Sequence, residues 1–348
     1  MATSSIKLKP LTPGGTIAFL SPSSRLNKLF GHRIERAKAF FERKGFHVKI
    51  IWQDSLSTVH HEAVLQRCEE LHAAFLDQEI SAIVCTIGGH SCNELLECID
   101  YDVIRTHPKI FCGFSDITLL HQALFMQAGL HTFYGPAVIP NFGEHPEPIP
   151  FTLEGFHSAL RGFTGPVSRS LGWSQEWLDW SNPIADQQER SLVPSPPWKW
   201  LRAGHTQGKL LGGCLPSLNQ LVGSKYCPDY TDCVLLLETP EADHRPDAPM
   251  SLAMVRKSLT DLRNARILSV IAGLVVGRPF MYDAKMRDDF HRVVLDACRG
   301  ASYPILVDID IGHTHPAMTL PLGSTVALDT GRDTFEIIDS PVISLKDI

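Results

Sequence analysis

The chain reads as an α/β protein built on a mainly parallel sheet. Three observations carry that expectation. Short apolar runs alternate with longer segments whose apolar residues recur at helical spacing, the rhythm of βαβ units. Glycine stands where the first helical segment stops. The closing stretch changes to strict alternation, the mark of an antiparallel pair with one face exposed.

Taken in order, Thr16-Ile-Ala-Phe-Leu20 is a buried strand, and residues 33–44 form a helix stopped by Gly45. His47-Val-Lys-Ile-Ile51 is a second strand. Residues 60–76 follow as a helix, with Ala63, Leu65, Leu71, Ala74 and Phe75 supplying most of its apolar positions. Ala82-Ile-Val-Cys-Thr86 is a third strand and leads into Gly88-Gly89. Lys109-Ile-Phe-Cys112 is a fourth, followed by a helix through Leu119, Leu120, Ala123, Leu124 and Met126. The rhythm breaks after Tyr134-Gly-Pro136. Residues 139–150 hold four prolines, and a helix follows near 153–160.

Residues 162–208 are polar, rich in Pro and Ser, and carry five of the six tryptophans: Trp173, Trp177, Trp180, Trp198 and Trp200. Connections beyond ~12–15 residues are usually functional or disordered. So much tryptophan favours an ordered, packed segment. A second α/β region begins at Lys209-Leu-Leu-Gly-Gly213. Cys233-Val-Leu-Leu-Leu237 is a strand ending at Glu238, and Leu252, Val255, Leu259 and Leu262 recur at helical spacing. Residues 268–276 are a strand candidate interrupted by Gly273. Residues 287–297 are a helix and Tyr303-Pro-Ile-Leu-Val307 a strand. Residues 324–329 and 334–338 alternate like a hairpin with Gly331 in its turn. The expected division is an N-terminal α/β domain over 1–161, a Trp-rich linker over 162–208 and a C-terminal α/β domain over 209–348.

Composition excludes several classes of function. At 348 residues, two domains of ~150 are expected. Apolar residues make up 44% and charged residues 20%, enough to bury a sizeable core and too apolar for a disordered chain. A net charge of −6 argues against a binder of nucleic-acid polymers, which needs a basic face. No apolar run approaches the ~18–20 residues that cross a bilayer. Met1-Ala-Thr-Ser-Ser-Ile-Lys7 lacks the apolar core of a signal peptide, so a cytoplasmic protein is expected, with no membrane partner. The nine cysteines are scattered, odd in number and without a Cys-x-x-Cys pair, so neither a disulfide framework nor a zinc ribbon is expected.

Three places can hold chemistry. In Cys112-Gly-Phe-Ser-Asp116 a strand ends, glycine permits a sharp turn, and Ser115 stands where a helix begins. That is the layout of a nucleophile elbow, although the second glycine of Gly-x-Ser-x-Gly is missing, and Ser and Asp are also ordinary helix caps. Glu238 stands at the carboxyl end of a buried strand, where α/β proteins bind ligands; a solvated strand end would look the same. Asp308-Ile-Asp-Ile-Gly-His-Thr-His-Pro316 places His313 after a strand and a glycine. His313, His315 and Asp310 could instead serve a metallohydrolase, because imidazoles two apart can share an ion. A hydroxyl, a base and an orienting acid, each at a strand end, are what nucleophilic acyl transfer requires. Gly88-Gly89 could lend backbone N–H groups to an oxyanion.

Several stretches carry a resemblance to a known family: Thr12-Pro-Gly-Gly-Thr16, Thr86-Ile-Gly-Gly89, Asp100-Tyr-Asp102, Gly113-Phe-Ser-Asp116, Thr132-Phe-Tyr-Gly-Pro136, Phe142-Gly-Glu-His-Pro146, Gly212-Gly213 and His313-Thr-His-Pro316. Spread in order over nearly the whole chain, they resemble the LD-carboxypeptidase family of serine peptidases, and within it the microcin C immunity peptidase branch. The resemblance implies a flavodoxin-like N-terminal domain, a C-terminal domain with a smaller sheet, and an active site between them. It implies Ser115 as nucleophile, His313 as general base, Glu238 as the orienting carboxylate, and the backbone N–H groups of Gly89 and Asp116 as oxyanion donors. No metal or other cofactor is implied, and the family is usually dimeric. The Trp-rich stretch is similar to a region of the immunity branch in which an aromatic ring stacks on a nucleobase; Trp180 is the match. Asn93 is the other expected substrate contact. His90-Ser-Cys-Asn93 and Thr239-Pro240 depart from the family pattern around the substrate pocket.

The expected function is thus a metal-free serine peptidase or amidase. Its substrate is a small peptide, cleaved near its C-terminus, or a peptidyl- or aminoacyl-nucleotide conjugate. An L,D-carboxypeptidase of cell-wall peptides is the alternative reaction. The rival classes are the metallohydrolase, separated by activity that survives EDTA, and a non-catalytic α/β binding protein, separated by labelling of Ser115 with a serine-directed reagent.

Overall fold

The computed structural model describes residues 6–182, 184–243 and 245–344. The first half runs β1 (Thr16–Leu20), α1 (Gly31–Arg43), β2 (His47–Ile51), α2 (His60–Leu76), β3 (Ile80–Cys85), α3 (Tyr101–Thr106), β4 (Ile110–Gly113), α4 (Thr118–Ala123), β5 (Thr132–Tyr134) and α5 (Pro150–Ala159). Four short strands lie in the Trp-rich stretch, β6 (Gly165–Pro166), β7 (Gly172–Trp173), β8 (Val193–Pro194) and β9 (Lys199–Arg202), and the long β10 (His205–Cys214) ends it. The second half continues with α6 (Leu215–Leu221), β11 (Val234–Glu238), β12 (Glu241–Ala242), β13 (Arg245–Pro249), α7 (Leu252–Asn264), α8 (Ile267–Val270), β14 (Gly273–Gly277), α9 (Ala284–Ala297) and β15 (Ile305–Ile309). It closes with β16 (Leu320–Leu322), β17 (Thr325–Asp329) and β18 (Thr334–Ile337).

The first sheet has the order β16-β5-β4-β3-β1-β2. Within it, β2-β1-β3-β4-β5 are parallel in the flavodoxin-like order. Every residue of β1 and β4 is buried, as expected for strands covered on both faces by crossover helices. α1 lays Ile34, Ala37, Phe40 and Phe41 on this sheet. There Phe41 meets Phe19, Phe46, Phe142 and Phe156, forming the aromatic centre of the first core.

The second sheet has the order β6-β18-β17-β10-β11-β14-β15-β9. It is not the smaller sheet expected from the resemblance but the larger one, with eight strands against six. The surplus comes from outside its parallel centre. β6 and β9, from the Trp-rich stretch, close its two edges, and the β17–β18 hairpin pairs antiparallel with the first half of β10. That pairing also explains why β10 starts at His205, ahead of the apolar run at Lys209.

Residues 268–276 are not one strand. Leu268 belongs to α8, and β14 begins at Gly273. A side chain at Gly273 would come within 2.9 Å of Thr206 and 3.1 Å of Leu328, so this glycine is a close-packed strand residue and not an interruption. Residues 124–128, read as more of α4, form a wider turn that ends at the left-handed Gly129. The Trp-rich stretch is ordered. β7 and β8 pair, Trp173 and Trp198 are buried, and Trp200 donates its indole N–H to Asp333.

Two connections tie the sheets together. β16 crosses back from the second half and pairs antiparallel with β5. A shared core sets Phe114, Tyr134 and Ala137 against Leu210, Val234, Leu236, Val275, Leu306 and Ile309. The carboxyl ends of β4, β11 and β15 therefore meet at one place. All nine cysteines are free thiols.

Candidate active site

Ser115 follows β4 by one residue and opens the single 3₁₀ turn that leads into α4. Its φ is +64°, in the left-handed region that costs a non-glycine residue ~1–2 kcal/mol. Strain of this kind persists only where the surroundings fix it. Here the Ser115 N–H donates to the Tyr134 hydroxyl at 3.0 Å. Gly88 lies directly alongside, where an added Cβ would fall 2.7 Å from the Ser115 Cβ and 3.2 Å from the Asp116 nitrogen. Only glycine lets the loop after β3 approach the serine this closely.

His313 reaches Ser115 from the loop between β15 and β16. Its Nε2 is 3.1 Å from Ser115 Oγ and its Nδ1 is 2.8 Å from Glu238 Oε2. The imidazole is held edge-on against Phe114 and Phe280. Glu238, the last residue of β11, is wholly buried, and its other oxygen accepts the Tyr134 hydroxyl proton at 2.6 Å. Gly312 makes room for this carboxylate, because a Cβ there would fall 2.6 Å from Glu238 Oε2. Tyr134 thus bridges the serine backbone and the carboxylate. A fifth group completes the cluster: Glu241 Oε2, on β12, lies 3.3 Å from His313 Nε2.

The charges reinforce one another. Burial alone would push the imidazole toward its neutral form, but Glu238 and then Glu241 outweigh it, and the pKa of His313 is raised to about 9. Burial likewise opposes the Glu238 carboxylate. The facing His313 charge and the hydrogen bonds from His313, Tyr134 and Cys214 overcome that, and Glu238 stays below the usual carboxylate range. Two residues on, burial and the Arg190 guanidinium push His315 down to about 3.

Asp116 acts on the opposite rim. Its Oδ2 accepts from the Ser23 hydroxyl and from the backbone N–H groups of Ser91 and Cys92, at 3.0 and 2.9 Å for the last two. The loop after Gly89 is thereby pinned beside Ser115. Gly89 takes φ +143° against Ser23 and Ser24, where a Cβ would strike the Ser24 hydroxyl. Asn93 lies exposed in the short turn beyond.

Trp180 lies farther along, half-buried, edge-on to Phe30 and beneath the Arg33 guanidinium at 4.7 Å. Arg33 is almost fully buried and is held by Glu144 at 2.8 Å, by Asp186 and by the Ile139 carbonyl. Arg190 joins Glu144 from the Trp-rich stretch. Burial would raise Glu144, but His315, Arg190 and Arg33 hold its carboxyl at about 2. Breaking one partner of a buried pair costs about 3–5 kcal/mol, so Glu144→Gln is expected to lower stability to urea by that order at pH 7. A carboxyl depressed in the folded state stabilises above its unfolded value of 4.5 and loses that contribution as pH falls toward 2. The gap between the two proteins should therefore narrow at pH 3; a gap independent of pH would contradict this electrostatic origin.

The donors of the metallohydrolase reading do not converge. Asp310 pairs with the buried Arg278 and accepts from Ser170 and Trp198. The backbone of His315 pairs with Ser174, and its ring lies in the field of Arg190 and Glu144. His313 faces Glu238 and Ser115. Among the described residues, no group of three or more His, Cys, Asp or Glu side chains stands where it could hold a metal ion.

The structure brings Ser115, Glu238, His313, Gly89 and Asp116 together; Asn93 directly follows Cys92, whose N–H bonds Asp116, and Trp180 packs on Phe30 and Arg33. Sequence reasoning missed Tyr134 and Glu241. Tyr134 lay inside a quoted motif without a role. Glu241 follows a strand end by three residues, and nothing in the sequence ties it to the histidine loop.

Fold and family together mark a serine-type hydrolase of peptide or amide bonds. The chain belongs to the LD-carboxypeptidase family: residues 17–135 match the LD-carboxypeptidase N-terminal domain and residues 207–328 the LD-carboxypeptidase C-terminal domain. It is 30% identical over 340 residues to the Microcin C7 self-immunity protein MccF of Escherichia coli, covering 95% of each chain. It is 28% identical over 336 residues to the "Probable murein peptide carboxypeptidase" of Bacillus subtilis, covering 94% of this chain and 93% of the other. A structure of MccF in complex with aspartyl sulfamoyl adenosine superposes with a TM-score of 0.85 at 28% identity, covering 97% of this chain and 100% of that one.

Proposed function

We propose that this chain is a metal-free serine peptidase or amidase in which Ser115, His313 and Glu238 act as a triad. The observation that carries the reading is the continuous chain from Ser115 Oγ through the imidazole to Glu238, at 3.1 and 2.8 Å. His313 Nε2 takes the Oγ proton as Oγ bonds to the substrate carbonyl carbon. The oxyanion is received by the backbone N–H groups of Gly89 and Asp116. His313 then gives its proton to the leaving nitrogen, the amide bond breaks, and an acyl-serine remains. Water, deprotonated by the same imidazole, releases the acid. Glu238 keeps Nδ1 protonated and stabilises the imidazolium, and Tyr134 holds that carboxylate in place.

The substrate class we favour is an aminoacyl- or peptidyl-nucleotide conjugate. The support is the likeness to MccF, solved with aspartyl sulfamoyl adenosine, and an ordered aromatic stretch whose Ser174 pairs with His315 of the histidine loop. The LD-carboxypeptidase domains support a second reading, cleavage of an L,D-tetrapeptide. Mass spectrometry of products from a panel holding both an aminoacyl adenylate analogue and an L,D-tetrapeptide decides between them. Turnover of the tetrapeptide alone would remove the nucleotide reading.

Trp180→Ala sharpens that test. Stacking on a base contributes ~1–3 kcal/mol, so KM for nucleotide-bearing substrates should rise roughly 5- to 150-fold while the short peptide is little affected. Equal loss on both substrates with a lowered Tm would mean that the ring serves only to pack Phe30 and Arg33.

A further inference from the structure

His313 Nε2 has two neighbours, and it cannot serve both in one protonation state. Ser115 Oγ is 3.1 Å away and needs the Nε2 lone pair. Glu241 Oε2 is 3.3 Å away and, as a carboxylate, can only accept, so it favours a proton on Nε2. With Glu238 already on Nδ1, the imidazole lies between two carboxylates. A ring protonated on both nitrogens cannot take the serine proton. The arrangement is suited to holding the charge, and something must draw Glu241 away before catalysis.

Glu241 differs from Glu238 in the way such a role requires. Glu238 is sealed in the core by Tyr134 and Gly312, whereas the Glu241 side chain is 39% exposed. It sits on the two-stranded ribbon of β12 and β13, open to an incoming molecule. Among the described residues of its ribbon and of the histidine loop, the basic groups are otherwise engaged. On its ribbon, Arg245 is paired with Asp247, and on the histidine loop, burial keeps His315 neutral. Its carboxylate can be no farther from Ser115 Oγ than the two short distances laid end to end. An ammonium two bonds from a carbonyl attacked by Oγ falls within that reach.

We propose that Glu241 is a substrate-sensing residue: it holds the protonated imidazole of His313 before substrate binds, and pairs instead with a cationic amino group on the acyl half of the substrate, freeing Nε2 to accept the Ser115 proton. The exchange at Glu241 is one of ion pairs: the substrate ammonium replaces the imidazolium as its partner. The Nε2–H bond then breaks, its electron pair stays on Nε2, and the proton passes to a water molecule that carries it to solvent. The favoured substrate is therefore an acyl donor with a free amino group next to the scissile carbonyl, and an N-acylated counterpart lacks the trigger. The proposal rests on the serine reading above.

Two measurements on Glu241→Gln and Glu241→Asp test it, with Tm recorded for each. The first is the rate at which a neutral fluorophosphonate labels Ser115 as a function of pH. In the unsubstituted protein, labelling should rise with pH through an ionisation near 9, because the imidazole must first lose its proton. In Glu241→Gln that ionisation should move down by about one unit, making labelling at pH 7 roughly tenfold faster. Glu241→Asp, which keeps the charge, should stay close to the unsubstituted profile. The second compares kcat/KM for an aspartyl adenylate analogue with its N-acetyl counterpart. Glu241→Gln should lose tenfold or more on the free amine and gain on the acetylated form. Identical labelling profiles, or equal losses on both substrates, would overturn the proposal while leaving the triad in place. Absence of any Ser115 labelling would instead overturn the serine reading itself.

Discussion

Ser115→Ala is expected to give a folded protein whose kcat is lower by about 10⁶-fold, the order found when a triad nucleophile is removed. The backbone should tolerate the change. Alanine and serine meet a similar penalty at φ +64°, and the bond from the residue's N–H to the Tyr134 hydroxyl does not involve the side chain. The methyl group removes the only atom placed to attack from 3.1 Å of the imidazole. Residual turnover ~10³–10⁴-fold above water should remain, supplied by oxyanion donors and binding. Stopped-time product analysis with an unchanged melting curve checks this, and a rate near that of the unsubstituted protein would rule out serine catalysis.

Glu238→Gln is expected to lower kcat by about 10⁴-fold with KM little changed. The amide has the shape of the carboxylate but not its charge. Its NH₂ can point at Nδ1 and stabilise the tautomer that already carries a proton on Nε2, which is useless as a base. Glu238 is completely buried and accepts from both His313 and Tyr134, so no water can substitute. The same change removes the larger of the two charges that hold the imidazole protonated, so any residual activity should reach its plateau at lower pH. An unaltered rate would mean that another acid serves His313.

The residues that meet at the site were visible one at a time. Ser115, Glu238 and His313 each follow an apolar run, and the carboxyl end of a parallel strand is where a loop is free to carry function. Their convergence was not readable without the family resemblance. It depends on β10 aligning Cys214 with Glu238 in register, and on a glycine at position 213 that lets Tyr134 come close. Arg33 misleads in the opposite way. A basic residue in a helix suggests a wet face, yet it is buried because Glu144 and Asp186 arrive from distant segments to neutralise it. Residues 268–276 were ambiguous because a continuous apolar run has no period that separates strand from helix. The eight-stranded sheet was underestimated because β6 and β9 are two and four residues long, too short to show alternation.

The return of β16 to the first sheet bears on how the protein comes into being. During synthesis from the N-terminus, the β4 turn and its serine are made nearly two hundred residues before His313. Until Leu320–Leu322 arrives, the outer edge of β5 has no neighbour, and an unpaired edge is a template for the wrong partner. Closing that edge and delivering the histidine belong to one event, since the loop bearing His313 is anchored at one end in each sheet. If Ser115 and His313 act as proposed, a nascent chain is expected to be catalytically silent however well its first half has folded. A nick between Ile309 and Leu320 would leave the shared core in place but free one anchor of the loop that carries His313.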